Sequence, residues 1–224
     1  MKMRNTAISF VLAAAFTTFT AGAAAAAVVS GLYNTGVGVG GAALAAGDNQ
    51  TDANYTLVAG TIPGVLTGAP ARTYYNAAYA AENPGSRWVS YSGSPFSGVG
   101  TFDVTTSFDL TGYDLATAQI TGLWGVDNEG TIFLNGISTG ISLLGTVTAN
   151  FNVLHSFSIT SGFQSGINTL SVRVNDTGSP AAVRFDNLVL SADMVPEPAT
   201  WAMLVGGFGL VGVASRRRSR AVAA

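Results

Sequence analysis

The chain has no cysteine and only one histidine, His155, among its 224 residues. The absence of cysteine excludes a disulfide framework, a cysteine nucleophile and zinc sites of the Cys/His type. Charge is also scarce, since charged residues make up 10% of the chain and hydrophobic residues 48%. A composition this apolar excludes extended disorder driven by charge.

Positive charge is rare in the middle of the chain. Residues 28–195 contain no lysine and four arginines against eleven acidic residues, which gives this region a net charge of about −7. Proteins that bind nucleic acid carry a basic surface to neutralise phosphates. The sequence therefore predicts that nucleic acid is not a partner.

The N-terminus has the three parts of a secretory signal peptide. Lys2 and Arg4 precede an apolar run over residues 8–16, and small residues with several A-x-A sites follow up to Ala27. This order predicts a helical signal peptide over residues 1–27 and therefore export. A transmembrane anchor is the alternative, but the apolar run is short for one.

The C-terminus is a second apolar segment with a basic end. Residues 199–214 carry no charge, and arginines follow them. Sixteen helical residues span about 24 Å, somewhat less than the hydrocarbon core of about 30 Å. With Trp201 at the interface and the arginines in the cytoplasm, the pattern predicts a transmembrane helix. A generic tail anchor is the plain alternative.

Three groups of residues in this tail occur in a fixed order, namely Pro196, Glu197 and Pro198, then Trp201 and Ala202, and last Arg216, Arg217 and Arg218. Together they resemble the PEP-CTERM sorting signal in its PEPxxWA variant. The resemblance implies a Gram-negative bacterium that makes exopolysaccharide and an exosortase that removes the tail. It also implies that the protein lies in the inner membrane before processing and at the cell surface or in the extracellular matrix afterwards.

The central region predicts an all-β fold. Apolar and polar residues alternate over residues 101–110 and 170–175, Trp124 shares the inward phase of another run, and Asn135-Gly136 is a strong hairpin signal. Short strands separated by Gly, Asn and Asp turns predict a β-sandwich, most simply a jelly roll.

The sequence thus divides into four parts. These are a signal peptide (residues 1–27), a Gly/Ala-rich lead-in (28–53), a β-sandwich domain (54–194) and a sorting signal (195–220). Within the sandwich, residues 100–190 resemble the second half of galactose-binding-like jelly rolls, through a strand ending in D-N, an I-x-L-N-G hairpin and a G-x-N-x-L-x-V segment.

Acidic and polar residues offer few chemical sites. Asp127 and Glu129 are candidate Ca²⁺ ligands because carboxylate-rich loops bind this ion, and a solvated hairpin turn is the alternative. His155 lacks the G-x-S-x-G elbow of a serine hydrolase, which favours a structural role. We expect no cofactor, with Ca²⁺ as the one alternative.

The aromatic residues suggest a binding surface. Tyr74, Tyr75, Trp88 and Tyr91 lie in a Gly/Asn/Pro-rich region without alternation, where exposed rings would form a platform for sugars. Packing in the core is the alternative, above all for Trp88.

The sequence as a whole predicts an exported, non-enzymatic protein of the cell envelope or matrix, sorted by exosortase and either structural or glycan-binding. Its expected partners are exosortase, the secretion machinery and extracellular polysaccharide. The alternative is a polysaccharide hydrolase with two carboxylates about 5–10 Å apart in a deep cleft.

Overall fold

A computed structural model describes residues 26–94, 98–195 and 198–221. The predicted signal peptide therefore lies outside the described residues, apart from Ala26 and Ala27. Pro196 and Glu197 of the predicted sorting signal lie outside them as well.

The described residues form eleven strands and three helices. The strands are β1 (Ala27–Val28), β2 (Thr51–Ala59), β3 (Pro70–Thr73), β4 (Val89–Ser90), β5 (Gly100–Asp109), β6 (Gln119–Asp127), β7 (Glu129–Leu134), β8 (Ile137–Leu143), β9 (His155–Ile159), β10 (Ile167–Asp176) and β11 (Ala182–Ala192). The helices are a 3-10 turn (Val39–Gly41), α1 (Ala149–Asn152) and α2 (Pro198–Ala221).

All eleven strands belong to one antiparallel sheet. The strand order is β8-β7-β10-β5-β2-β3-β4-β11-β6-β9. Outside this order, β1 pairs with the C-terminal end of β11, at Ser191 and Ala192. The sheet folds over on itself, so that β10 lies against β6 and β11 across the core. The predicted all-β sandwich with a C-terminal helix is confirmed, and the sheet is nearly closed.

The predicted alternation sets which side chains fill the core. Phe102, Val104 and Phe108 of β5 are buried, and β5 pairs with β10 over the whole length of both strands. Leu170 and its alternate neighbours on β10 are fully buried in the same layer. Because side chains alternate between the two faces of a strand, this pairing places one apolar face of each strand in the core.

Trp124 is buried on β6, as its phase in the sequence predicts. It pairs with Phe185 of β11 on one side and with His155 of β9 on the other. Because β6 lies between β11 and β9, Trp124 is a central residue of the core on this side of the sandwich.

The Asn135-Gly136 hairpin is confirmed. The two residues are the whole connection between β7 and β8, and both have positive φ, 53° and 77°. Two positive φ values are what a two-residue type I′ turn requires, and Asn and Gly adopt them at low cost. The side-chain amide of Asn135 also donates to Asn168, which fixes the hairpin against β10.

The lead-in is packed against the sandwich. Val29, Leu32 and Val37 are buried, and the Thr35 hydroxyl donates to the carbonyl oxygen of Arg87 at 2.7 Å. The same hydroxyl accepts the amide proton of Phe185 on β11. The sequence did not predict this packing, because the buried residues of the Gly/Ala-rich lead-in are few and irregularly spaced.

The tail contains the predicted helix, α2. The large apolar side chains between Trp201 and Val213 of this helix are exposed. Within the part of the chain that the structure describes, no helix is long and apolar enough to cross a membrane. The uncharged run is sixteen residues long, and prolines and arginines flank it on the two sides.

Candidate functional site

The last strand of the sandwich leads directly into the tail. After β11, the amide of Asp193 donates to Oγ1 of Thr117 at 2.8 Å, and Met194 forms an isolated β-bridge with Tyr113. The amide of Val195 then donates to the carbonyl oxygen of Gly112 at 2.8 Å. The chain therefore stays bound to the loop at residues 112–117 up to the residue that precedes Pro196.

The rest of the predicted sorting signal lies on α2. Pro198 is the first residue of this helix, a position where its fixed φ and missing N–H do no harm. Trp201 and Ala202 are exposed on the first turns, and Arg216, Arg217 and Arg218 lie on the last turns. The structure thus places the aromatic and basic parts of the signal at opposite ends of one helix.

The predicted sugar platform is wrong for Trp88 and Tyr74. Trp88 is 0% exposed, its Nε1 donates to the carbonyl oxygen of Ala80 at 2.9 Å, and its amide donates to Glu82. Tyr79 packs between Trp88 and Tyr74, with a centroid separation of 4.6 Å from Trp88. These rings form a second small core and offer no face to a ligand.

The other two predicted platform residues do not form a surface together. Tyr91 is half-buried and packs edge-on against Phe102 at 4.9 Å. Tyr75 is 40% exposed, and its amide donates to Asp48. Of the four residues, Tyr75 is exposed and Tyr91 is partly exposed, and the two are not packed against each other.

The predicted acidic turn is not a free hairpin. β6 continues to Asp127 and β7 begins at Glu129, so that only Asn128, which follows a cis peptide bond, separates two long strands. Asp127 is buried and accepts hydrogen bonds from the hydroxyl of Tyr79 and the side-chain amide of Asn128. Burial, together with the smaller effect of the neighbouring Asp176, raises the pKa of Asp127 to about 6 although the hydrogen bonds from Tyr79 and Asn128 lower it.

Glu129 is engaged elsewhere. Its Oε1 accepts the amide proton of Gly145 at 2.8 Å, and its Oε2 accepts from Nδ2 of Asn175 at 3.1 Å. These hydrogen bonds lower the pKa of Glu129. Asp127 and Glu129 thus have different partners, and the described residues contain no group of three or more acidic or histidine side chains suited to a metal.

A groove lies between the two end strands of the sheet. It has a volume of about 300 Å³ and lies where β8 and β9, the two ends of the strand order, approach each other. Hydroxyl groups and aliphatic side chains line it, and its lining contains no carboxylate and no aromatic ring. A hydrolase cleft of the kind considered above would need two carboxylates, which this groove lacks.

His155 has the structural role that the sequence favours. It begins β9, and its Nε2 makes a hydrogen bond of 2.7 Å with the carbonyl oxygen of Ala149 in α1. This contact ties α1 to the sheet.

Comparison with known families decides the nature of the tail. Residues 195–218 match the family described as the PEP-CTERM protein-sorting motif. The chain carries a PEP-CTERM motif. The motif begins at Val195, which is hydrogen-bonded to Gly112 of the 112–117 loop, and the matched region ends among the arginines of α2.

Comparison with whole proteins adds little to the PEP-CTERM match. The chain matches no curated protein. A solved structure of the Stig cyclase Fisc from Fischerella sp. TAU, in complex with (3Z)-3-(1-methyl-2-pyrrolidinylidene)-3H-indole, has a TM-score of 0.44 and 13% identity, covering 76% of this chain and 100% of that one.

A second solved structure, the CBM36-1 domain of a multidomain xylanase from the hindgut metagenome of Trinervitermes trinervoides, has a TM-score of 0.30 and 13% identity. It covers 64% of this chain and 100% of that one. Both likenesses are too distant to indicate a function.

Proposed function

We propose that this chain is an exported, exosortase-sorted protein that serves a non-enzymatic, structural role in an exopolysaccharide matrix. The observation that carries the proposal is the PEP-CTERM match at residues 195–218, directly after the folded body. PEP-CTERM motifs are the substrates of exosortase, which makes exosortase the expected partner.

The physical properties of the tail agree with this role. The large apolar side chains of α2 are exposed, which is unfavourable in water and favours an apolar environment for this helix. Arginines at its end would remain on the cytoplasmic side. We infer that the tail, in its PEPxxWA form with Trp201 and Ala202, holds the exported chain at the inner membrane of a Gram-negative cell until exosortase removes it.

A structural role fits the body better than a sugar platform does. Trp88 and Tyr74 pack inside the protein, and the groove between β8 and β9 is neutral and lined by hydroxyl groups. Contact of polysaccharide with this groove would use hydrogen bonds from residues such as Thr160 and Ser161, because no ring lines it. The acidic body would not attract anionic polymers.

Processing of the tail is the decisive test. The full-length gene is expressed in a host that carries exosortase and in the same host without it, and the exported protein is analysed by intact-mass spectrometry. With exosortase we expect a product that lacks residues 216–218. Pro196→Ala and Glu197→Ala should each leave the tail uncleaved, because the motif is lost.

Pro63→Ala is the matched control, since Pro63 is exposed on the body and far from the motif in sequence. This variant should be processed like the wild type. A wild-type product that retains Arg216-Arg217-Arg218 in the host with exosortase would contradict the proposal.

A further inference from the structure

The described chain enters and leaves the folded body at the same end of the sandwich. It enters the sheet at Ala27, which is directly opposite Ala192 in the pairing of β1 with β11. It leaves the body three residues after Ala192, at Val195, beyond which the tail begins. Because neighbouring strands lie about 5 Å apart, the entry and the exit of the chain are side by side.

Two further segments reach the same end of the sandwich. Met194 forms its β-bridge with Tyr113 of the 112–117 loop. This loop follows β5, whose last residue, Asp109, is directly opposite Ile167 at the start of β10. We call this end of the body the exit end; it is formed by residues 26–28, 109–117, 166–167 and 191–195.

The exit end exposes four large apolar side chains. Val28 is 75% exposed, Met194 68%, Ile167 58% and Val195 52%. They come from three different segments of the chain, and the fold brings these segments together at one end. Exposed apolar groups surrounded by polar residues are typical of surfaces that bind a protein partner or a membrane.

The charge of the exit end is negative. Its segments contain Asp109, Asp114 and Asp193 and no lysine or arginine. Surfaces that bind anionic lipid headgroups use clusters of basic residues. Attraction to anionic headgroups therefore does not hold this end at a membrane, and its apolar side chains are the groups that favour contact with lipid.

The tail limits how far the exit end can lie from a membrane. Val195 is hydrogen-bonded to Gly112 of the body, and Pro198 is the first residue of α2. Three residues span at most about 11 Å even when the chain is fully extended. With α2 in the bilayer, the exit end is therefore the part of the body that faces the lipid surface.

We propose that the exit end docks on the lipid surface of the membrane, with the side chains of Val28, Ile167 and Met194 among the headgroups. This inference rests on the proposed function, because it requires α2 in the bilayer. It goes further in giving the folded body a binding surface of its own. Burial of apolar side chains at the interface is favourable, and it does not require anionic lipid. The docked body would hold the sorting motif at a constant depth.

Single fluorescent probes test the docking, because the chain has no cysteine of its own. Val28→Cys and Ile167→Cys are exported by a host without exosortase, so that they keep the tail. Each is labelled with the fluorophore NBD and reconstituted in phosphatidylcholine vesicles with iodide on both sides. Val99→Cys is the matched control, because Val99 is 70% exposed and precedes β5, about 30 Å from Asp109 at the other end of this strand.

Iodide quenches a probe that is exposed to water. We expect iodide to quench the probes at positions 28 and 167 several-fold less than the probe at position 99. The same result is expected when phosphatidylglycerol is added to the vesicles. Equal quenching at all three positions would contradict the docking.

A probe in the tail separates this proposal from the proposed function. Leu210→Cys reports whether α2 enters the bilayer, since Leu210 lies in the uncharged part of this helix. A protected probe at position 210, with equal quenching at positions 28, 167 and 99, would overturn the docking and leave the proposed function intact. Full quenching at position 210 would contradict both.

Substitution of the apolar side chains tests whether they cause the docking. Val28→Ser combined with Met194→Ser should raise the quenching of the probe at position 167 to the level seen at position 99. Val99→Ser is the control and should leave the probe at position 167 protected. Protection that persists in the double variant would show that the tether alone holds the body at the membrane, and would contradict docking through these side chains.

Discussion

The amide of Val195 donates a hydrogen bond of 2.8 Å to the carbonyl oxygen of Gly112, and the next residue is the first proline of the sorting motif. No spacer separates the folded body from the segment that we propose as the binding site of exosortase. An enzyme that binds the motif as an extended chain at the membrane would therefore also contact the folded body. Release of residues 193–195 from the 112–117 loop would move the motif away from the body and remove this steric conflict.

A weaker attachment should accelerate processing. Thr117→Val removes the acceptor for the amide of Asp193, and we expect its tail to be cleaved several-fold faster in a pulse-chase experiment with exosortase. Insertion of six Gly/Ser residues between Val195 and Pro196 should have the same effect. Thr61→Val, at an exposed threonine that is distant in sequence, serves as the control. Cleavage at the wild-type rate in both altered proteins would show that the attachment does not limit access.

Trp124 should be among the costliest core residues to truncate. Trp124→Ala removes a buried indole between β11 and β9 and leaves a cavity, for which we expect a loss of about 3–5 kcal/mol in the free energy of unfolding. Urea denaturation followed by circular dichroism measures it. Tyr75→Ala, at an exposed ring, should change the free energy by less than about 1 kcal/mol. An unchanged midpoint for Trp124→Ala would mean that the ring is not in the core.

The residues that could be predicted from the sequence are those whose environment is set by their own strand. Alternation alone gives the burial of Phe102, Leu170 and Trp124, because a strand that pairs on both sides sends every second side chain into the core. The Asn135-Gly136 turn could be predicted as well, because it depends only on the positive φ angles that these two residues adopt at low cost. The tail could be interpreted because its motif is contiguous.

The residues that could not be predicted depend on partners far along the chain. Trp88 lies in a region without alternation, and its burial follows from its contact with Tyr79 and its hydrogen bond to Ala80. Asp176 precedes Thr-Gly-Ser-Pro, a sequence typical of a turn, and the pairing of β10 with β7 brings it near enough to Asp127 to help raise the pKa of that carboxyl. The spacing of residues within one segment does not indicate which residues of two distant segments lie close together.

Loss of Trp88 should therefore affect stability and leave binding unaffected. Trp88→Ala removes a fully buried ring and the hydrogen bond to Ala80, and we expect a loss of about 3–5 kcal/mol. Co-sedimentation with exopolysaccharide, expressed per folded molecule, should match that of the wild type. Tyr75→Ala is the control for an exposed ring in the same region. A stable Trp88→Ala protein with weakened polysaccharide binding would restore the sugar platform and contradict the burial.

The stability of the body should fall as the pH rises from about 4 to about 6. Burial raises the pKa of Asp52 from 3.8 to about 6, although three backbone amides, among them that of Gly36, donate to its carboxylate. Burial likewise raises the pKa of Asp127 to about 6. Between the unfolded and folded pKa values the folded state binds more protons than the unfolded state, so that each rise in pH favours unfolding. Above about pH 6 both states are ionised and this dependence ends.

Asp52 would contribute up to about 3 kcal/mol over this range, and Asp127, which solvent screens more, would contribute less. Urea midpoints measured in EDTA from pH 4 to pH 7.5 should show the decline. Asp52→Asn removes one titrating group, so the decline of its midpoint between pH 4 and pH 6 should be smaller than that of the wild type, whatever its absolute stability. Asp109→Asn is the control, because Asp109 is exposed and the hydrogen bonds that it accepts from Thr111 lower its pKa. A wild-type midpoint that rises from pH 4 to pH 6, or an equal decline in the wild type and in Asp52→Asn, would contradict the prediction.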